Sequence, residues 1–164
     1  GLDPEKIRKA LATFAGVKRR FDIQLETEKC VYIDDYAHHP REITASLTSI
    51  KGNFPGYRLT AIFQPHLYTR TRDFAPEFAA ALSKVDRLVL LDIFPAREEP
   101  IPGVTSEIIF NDAKAPSKVL LKKDELLGWM KEQKLEGKEL FMTLGAGDID
   151  RLIVPIEEML KERL

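Results

Sequence analysis

"RLVLLD", residues 87–92, is the stretch that decides the fold. Its four central residues are all apolar, with no polar alternation. A strand with one wet face alternates, whereas a strand covered on both faces reads as a short continuous apolar run. Runs of the same kind recur outward along the chain at Cys30–Ile33, Arg58–Phe63, Val119–Leu121 and Glu139–Thr143. Between them lie segments with helical signals. Pro40 opens one that runs to about Lys51, a second spans about Asp73 to Lys84, and a short one covers Thr105–Asn111. Asp124 caps a fourth that ends near Lys134, and the last runs from Asp148 to about Arg163. Strands separated by helices of roughly 10–15 residues indicate βαβ units. The expected class is α/β: a Rossmann-like, open, mostly parallel sheet of about five or six strands with helices on both faces.

The first residues read differently. Asp3 can cap a helix, Pro4 suits its first position, and Ile7, Leu11 and Phe14 recur on one face before Gly16 ends it. Phe21, Ile23 and Leu25 then alternate with polar residues, as in a strand or edge ribbon. A division near residue 26 is expected, with 1–26 leading into a domain at 27–164. The chain starts Gly-Leu-Asp rather than with Met, which reads as a processed or truncated product.

Composition excludes several classes. Hydrophobic residues make up 44% of the 164 residues and the net charge is −1, which excludes disorder as the main state. Lys plus Arg total 25 against 26 Asp plus Glu, so the basic excess of a nucleic-acid binder is missing. The densest apolar stretch, Leu88–Phe94, is broken by Asp92 and is far shorter than the roughly 20 residues of a membrane span. The single cysteine, Cys30, lies in an apolar run and reads as a buried, inert thiol. No phosphate-loop pattern of the GxxxxGK[ST] kind occurs.

In open α/β sheets ligands bind beyond the carboxyl ends of the strands. Those ends carry "DDYAHHP" (34–40), "QPHLYTRTRD" (64–73), "DIFPAREEPIPG" (92–103) and "LGAGDID" (144–150), and the first two hold all three histidines. In the first, Asp34 and Asp35 can hold Mg²⁺ or ribose hydroxyls, or can simply tie down the turn. His38 and His39 can donate to phosphate or carboxylate, beside the N–H groups of a helix opened by Pro40. A shared zinc is disfavoured, because adjacent histidines do not easily reach one metal. In the second, Arg70 suits a bidentate grip on carboxylate or phosphate, with His66, Tyr68, Thr69 and Thr71 adding polar groups. Arg72 pairs more naturally with Asp73. Both arginines are expected just before a helix beginning at Asp73. Glu98 and Glu99 are expected to face water. Gly145 and Gly147 lack the third glycine of the dinucleotide fingerprint, and Asp150 stands in its place.

"GVKRRF" (16–21), "DDYAHHP", "FQPHLYTRTRD" (63–73), "PIPG" (100–103) and "LGAGDI" (144–149), in this order, resemble the C-terminal part of the Mur ligases. The resemblance runs from about Leu2 to the end and is strongest to the branch that joins L-alanine to UDP-N-acetylmuramate. It implies a cytoplasmic, three-domain ligase of peptidoglycan precursor synthesis that uses ATP and Mg²⁺. Both would be bound mainly by a central domain outside this sequence, with no metal ligand here. Residues 1–26 would be the tail of that ATPase domain and a linker, and 27–164 the Rossmann-like C-terminal domain. Asp35, Tyr36 and His38 would border ATP, with His38 and Arg70 at the reacting centre. His66, Tyr68, Arg70 and Arg72 would bind substrate. The partners implied are UDP-N-acetylmuramate, L-alanine, ATP and the two preceding domains, with no nucleic acid and no membrane. One departure is Leu67, where many relatives carry Arg. Two other readings share these motifs in part: a sister ligase that joins a muropeptide to the same sugar nucleotide in recycling, and a non-catalytic nucleotide-binding module.

Overall fold

The computed structural model describes all residues except Leu2 and Ala15. The expected first residue of the resemblance, Leu2, therefore lies outside the described residues. The strands are β1 (Asp22–Glu26), β2 (Cys30–Asp35), β3 (Arg58–Phe63), β4 (Arg87–Leu91), β5 (Ser117–Leu121) and β6 (Glu139–Leu144). They form one six-stranded sheet in the order β1-β2-β6-β3-β4-β5. Strands β2 to β6 are parallel to their neighbours, and β1 runs antiparallel along the edge of β2. The division drawn at residue 26 thus runs through the sheet, whose edge strand is Asp22–Glu26.

The helices are α1 (Pro4–Ala12), α2 (Pro40–Asn53), α3 (Tyr68–Asp73), α4 (Ala75–Leu82), α5 (Glu107–Asp112), α6 (Leu126–Glu132) and α7 (Ile153–Lys161). Successive strand residues point to opposite faces, so each apolar run feeds two cores. Val31, Ile33, Leu88 and Leu90 pack with Ile43 and Leu47 of α2, Phe78 and Leu82 of α4, and Ile109 of α5. Cys30, Tyr32, Val89 and Leu91 pack with Leu126 and Met130 of α6 and Ile156 and Leu160 of α7. That two-sided burial is why "RLVLLD" needs no polar alternation.

Three helix starts differ from the sequence reading, two of them because of proline. Arg70 and Arg72 do not precede a helix but sit within α3. Pro76 has no N–H to give the Arg72 carbonyl, so α3 stops and α4 begins afresh at Ala75. Pro155 likewise cannot donate to Arg151, and Asp148–Leu152 is a 3₁₀ turn that becomes an α-helix only at Ile153. Before α6, the carboxylate that receives the Lys122 N–H is Glu125 rather than Asp124. α1 forms as expected, with Asp3 accepting the Glu5 N–H, but none of its residues is buried. No helix among the described residues is long and apolar enough to cross a membrane.

Candidate functional site

The sheet order places the site. β6 lies between β2 and β3, and Leu144 is in register with both Asp35 and Phe63. The loops after β2 and β3 therefore flank the glycine turn after β6. That turn is shaped by close approach. A Cβ on Gly145, whose φ is +140°, would lie 2.7 Å from the Gln64 carbonyl oxygen. A Cβ on Gly147 would lie 2.5 Å from Gln64 Oε1 and 2.7 Å from Phe94 Cβ. Gln64 completes the junction by donating to Asp148 and accepting the Ile149 N–H, each at 2.9 Å. The glycines serve packing against the β3 and β4 loops.

Four of the expected residues meet here. The Tyr36 and His38 rings stand edge-on at 5.2 Å, and the His38 and His66 rings at 6.1 Å. His66 stacks on Phe94 at 5.7 Å, and Arg70 Nη1 lies 3.3 Å from His66 Nδ1. The hydrogen bonds assign the tautomers. His38 Nδ1 lies 3.0 Å from the Tyr36 carbonyl, which only accepts, so Nδ1 carries the proton and Nε2 is left for a ligand. Arg70 only donates, so His66 Nδ1 is the acceptor and its proton is on Nε2. Burial first, then the charges of Arg70 and His38, hold His66 below the ordinary imidazole range. Among the described residues, no carboxylate lies within ion-pair distance of Arg70. The cluster is thus a half-buried cationic edge with one guanidinium and one imidazole nitrogen to offer.

A second set anchors it from below. Asp34 is fully buried, accepts from Thr143 at 2.7 Å and from Arg19 Nε at 3.0 Å, and Thr143 also meets the Tyr32 hydroxyl. Arg19 donates onward to the Gly145 carbonyl at 2.7 Å and lies 3.6 Å from Asp150. The Arg19 and Arg20 guanidiniums lie 5.1 and 5.3 Å from the centre of the Tyr36 ring. Tyr36 is therefore held by cations of the segment before β1 while it faces His38.

The remaining expected residues lie elsewhere. Asp35 is nearly buried, accepting the Ala37 N–H at 3.0 Å and the Ser46 hydroxyl at 2.6 Å. Arg72 is exposed and bonded to Asp73 at 2.8 Å. Tyr68 lines a separate cleft of about 420 Å³ on the α5 side, with Asp92, Ile101 and Val104. His39 caps α2, accepting the Arg41 N–H, and packs edge-on against Phe74. Its ring and that of His38 thus make different contacts. Burial pushes the Cys30 thiol up to about 11, so it stays protonated and inert. Sequence reasoning missed Arg19, Gln64 and Glu98. Glu98, expected in water, binds the start of α3 through Thr69. The "GVKRRF" and "FQPH" motifs held the first two, but nothing local tells which partner each would find.

Comparison with known proteins agrees with this architecture. A family model described as "Mur ligase, glutamate ligase domain" matches residues 19–147. The UDP-N-acetylmuramate–L-alanine ligase of Parabacteroides distasonis is 55% identical across all of this chain, and that of Porphyromonas gingivalis is 46% identical across 98% of it. The chain spans 35% of the length of either relative. The crystal structure of a Thermotoga maritima UDP-N-acetylmuramate–alanine ligase superposes with a TM-score of 0.80 at 27% identity, covering 100% of this chain and 35% of that one. A murein peptide ligase from Psychrobacter arcticus shares the fold, with a TM-score of 0.69 at 23% identity over 93% of this chain and 32% of its own. With a sheet of this order and a family match over most of its length, the chain belongs to the Mur ligase, glutamate ligase domain family.

Proposed function

We propose that this chain is the closing domain of an ATP-dependent ligase that joins L-alanine to UDP-N-acetylmuramate in the cytoplasm. The observation that carries the reading is the Tyr36–His38–His66–Arg70 cluster at the strand ends, with an Arg70 that, among the described residues, forms no ion pair with a carboxylate. The relatives above add the reaction class. In that reaction the γ-phosphoryl group of ATP passes to the muramoyl carboxylate, releasing ADP. The alanine nitrogen then attacks the acyl carbon, the bond to phosphate breaks and the amine loses its proton. Phosphoryl transfer of this kind depends mostly on positioning and charge neutralisation. Arg70 would receive the alanine carboxylate, and His38 Nε2 would face the reacting centre. His66 shapes the pocket by orienting Arg70, and Tyr36 would border the nucleotide. Closing such an edge over the site excludes water from the acyl phosphate.

Asp34 and Asp35, the adjacent carboxylates at the end of β2, are engaged by protein donors. In this reading Mg²⁺ and the triphosphate would be held mainly by the preceding domain. Of residues 1–26, read as the tail of that domain and a linker, the part before β1 would keep that role.

The test is Arg70→Ala in the full-length enzyme. Loss of a charge contact at a closed site costs about 2–4 kcal/mol in kcat/KM for L-alanine. A loss below about tenfold would show that another group holds the carboxylate.

A further inference from the structure

α3 carries Arg70, yet it begins without a cap of its own. Leu67 precedes it with no side chain able to accept, and its φ of +73° lies where side-chain-bearing residues are strained. The helix has six residues, too few to hold its orientation by its own hydrogen bonds. The missing acceptor comes from the loop after β4. Glu98 Oε2 accepts the Thr69 N–H at 2.9 Å, and its other oxygen accepts the Thr69 hydroxyl. These bonds hold Glu98 below the usual carboxylate range, with a further contribution from the nearby Arg70. Glu98 is itself fixed by a turn in which its N–H bonds the Pro95 carbonyl at 3.0 Å, with Ala96 at φ +53°. The same loop is stitched to α3 from the other side: the Leu67 N–H donates to the Phe94 carbonyl at 3.0 Å, and Phe94 carries the His66 ring.

We propose that Glu98 is a positioning residue for the reaction read above: it caps α3 from a distant loop and thereby sets the Arg70 guanidinium toward His66 and the acceptor's carboxylate. The inference rests on that reading of Arg70. Glu98 touches no substrate. A carboxylate is needed there rather than a neutral cap for three reasons. It meets the helix dipole at its positive end, and its bonds to N–H and O–H donors are charge-assisted. It also gives Arg70 a nearby negative charge without an ion pair, leaving the guanidinium free for a ligand.

The experiment is a double-mutant cycle in the full-length enzyme with Glu98→Gln and Arg70→Ala, reading kcat and KM separately for the amino-acid acceptor and for ATP. Glu98→Gln keeps the size and one accepting oxygen. It should raise the acceptor KM about tenfold, as losing charge-assisted bonds does, and leave the ATP KM within about twofold. In the Arg70→Ala background the same change should cost less than about twofold, because Glu98 acts through Arg70. Thr69→Val removes one donor, leaves Glu98 in place and should shift the acceptor KM in the same direction by a smaller factor. Glu98→Gln within about twofold of the parent, beside a large Arg70→Ala loss, would overturn the Glu98 role and leave the Arg70 reading standing. An equal loss in both backgrounds would also overturn it, by showing a general structural effect. An Arg70→Ala enzyme with unchanged acceptor kinetics would overturn both.

Discussion

At the residue scale the site depends on which nitrogen carries each proton. His66 accepts from Arg70 only while its ring is neutral. Its folded pKa is held below the ordinary 6.5 by burial, by Arg70 and by His38. A ring shifted in that direction contributes stability that is present above its unfolded pKa and is lost as pH falls through the folded value. Proton NMR of the His66 ring should therefore show a midpoint below 6.5, with the acceptor KM rising as pH drops through it. A midpoint above 6.5 would show that the Arg70 contact is not made. His38, His66 and Arg70 were legible in the sequence because parallel strands send their following loops to one edge, so clustering needed only the strand boundaries. Gln64 and Glu98 were not. Gln64 bonds residues 84 and 85 positions away, and Glu98 bonds one 29 away, and packing alone selects such partners.

At the element scale the segment before β1 is tied to the strand ends by one side chain. Arg19 joins Asp34, the Gly145 carbonyl and the Tyr36 ring, and its backbone carbonyl accepts the Tyr36 N–H at 2.7 Å. Burial raises the Asp34 carboxyl above its ordinary value, with Thr143 and Arg19 acting against that rise. A raised carboxyl contributes stability below its unfolded pKa that is lost as pH climbs through the folded value, so at neutral pH ionised Asp34 is a cost that its partners must offset. Arg19→Ala leaves that charge buried and unpaired. It should lower the unfolding free energy by about 3 kcal/mol in a urea titration, and the deficit should shrink at acid pH. A change below about 1 kcal/mol would mean that Thr143 alone suffices. The parallel order was readable from the apolar runs, but the place of β1 was not. An alternating strand can sit on any edge, and only pairing with β2 put it on this sheet. The helix breaks at Pro76 and Pro155 were within reach of the sequence, since a proline's missing donor acts locally.

At the scale of the whole molecule, α1 stands apart. Ile7 and Leu11 of α1, and Phe14 and Val17 after it, are 42%, 67%, 63% and 58% exposed, the greater part of the large apolar side chains left uncovered among the described residues. The folded area of 9261 Å² exceeds the roughly 8,000 Å² that surface scaling gives for a chain of this size, as expected when a helix extends from the body. An amphipathic stripe without a cover fits a segment that packs on a preceding domain, and that domain would also hold the triphosphate. The chain alone is therefore expected to release no phosphate from ATP with UDP-N-acetylmuramate and L-alanine present, and any turnover by it would refute the division of labour.

The most direct test uses the full-length enzyme. Phosphate release would be followed with UDP-N-acetylmuramate and MgATP, offering either L-alanine or a muramyl-type tripeptide as the amine. The account predicts release that requires L-alanine and falls with Arg70→Ala. Release with the tripeptide alone would contradict it, placing the enzyme in the branch that recycles muropeptides and making Leu67 the mark of a widened acceptor pocket.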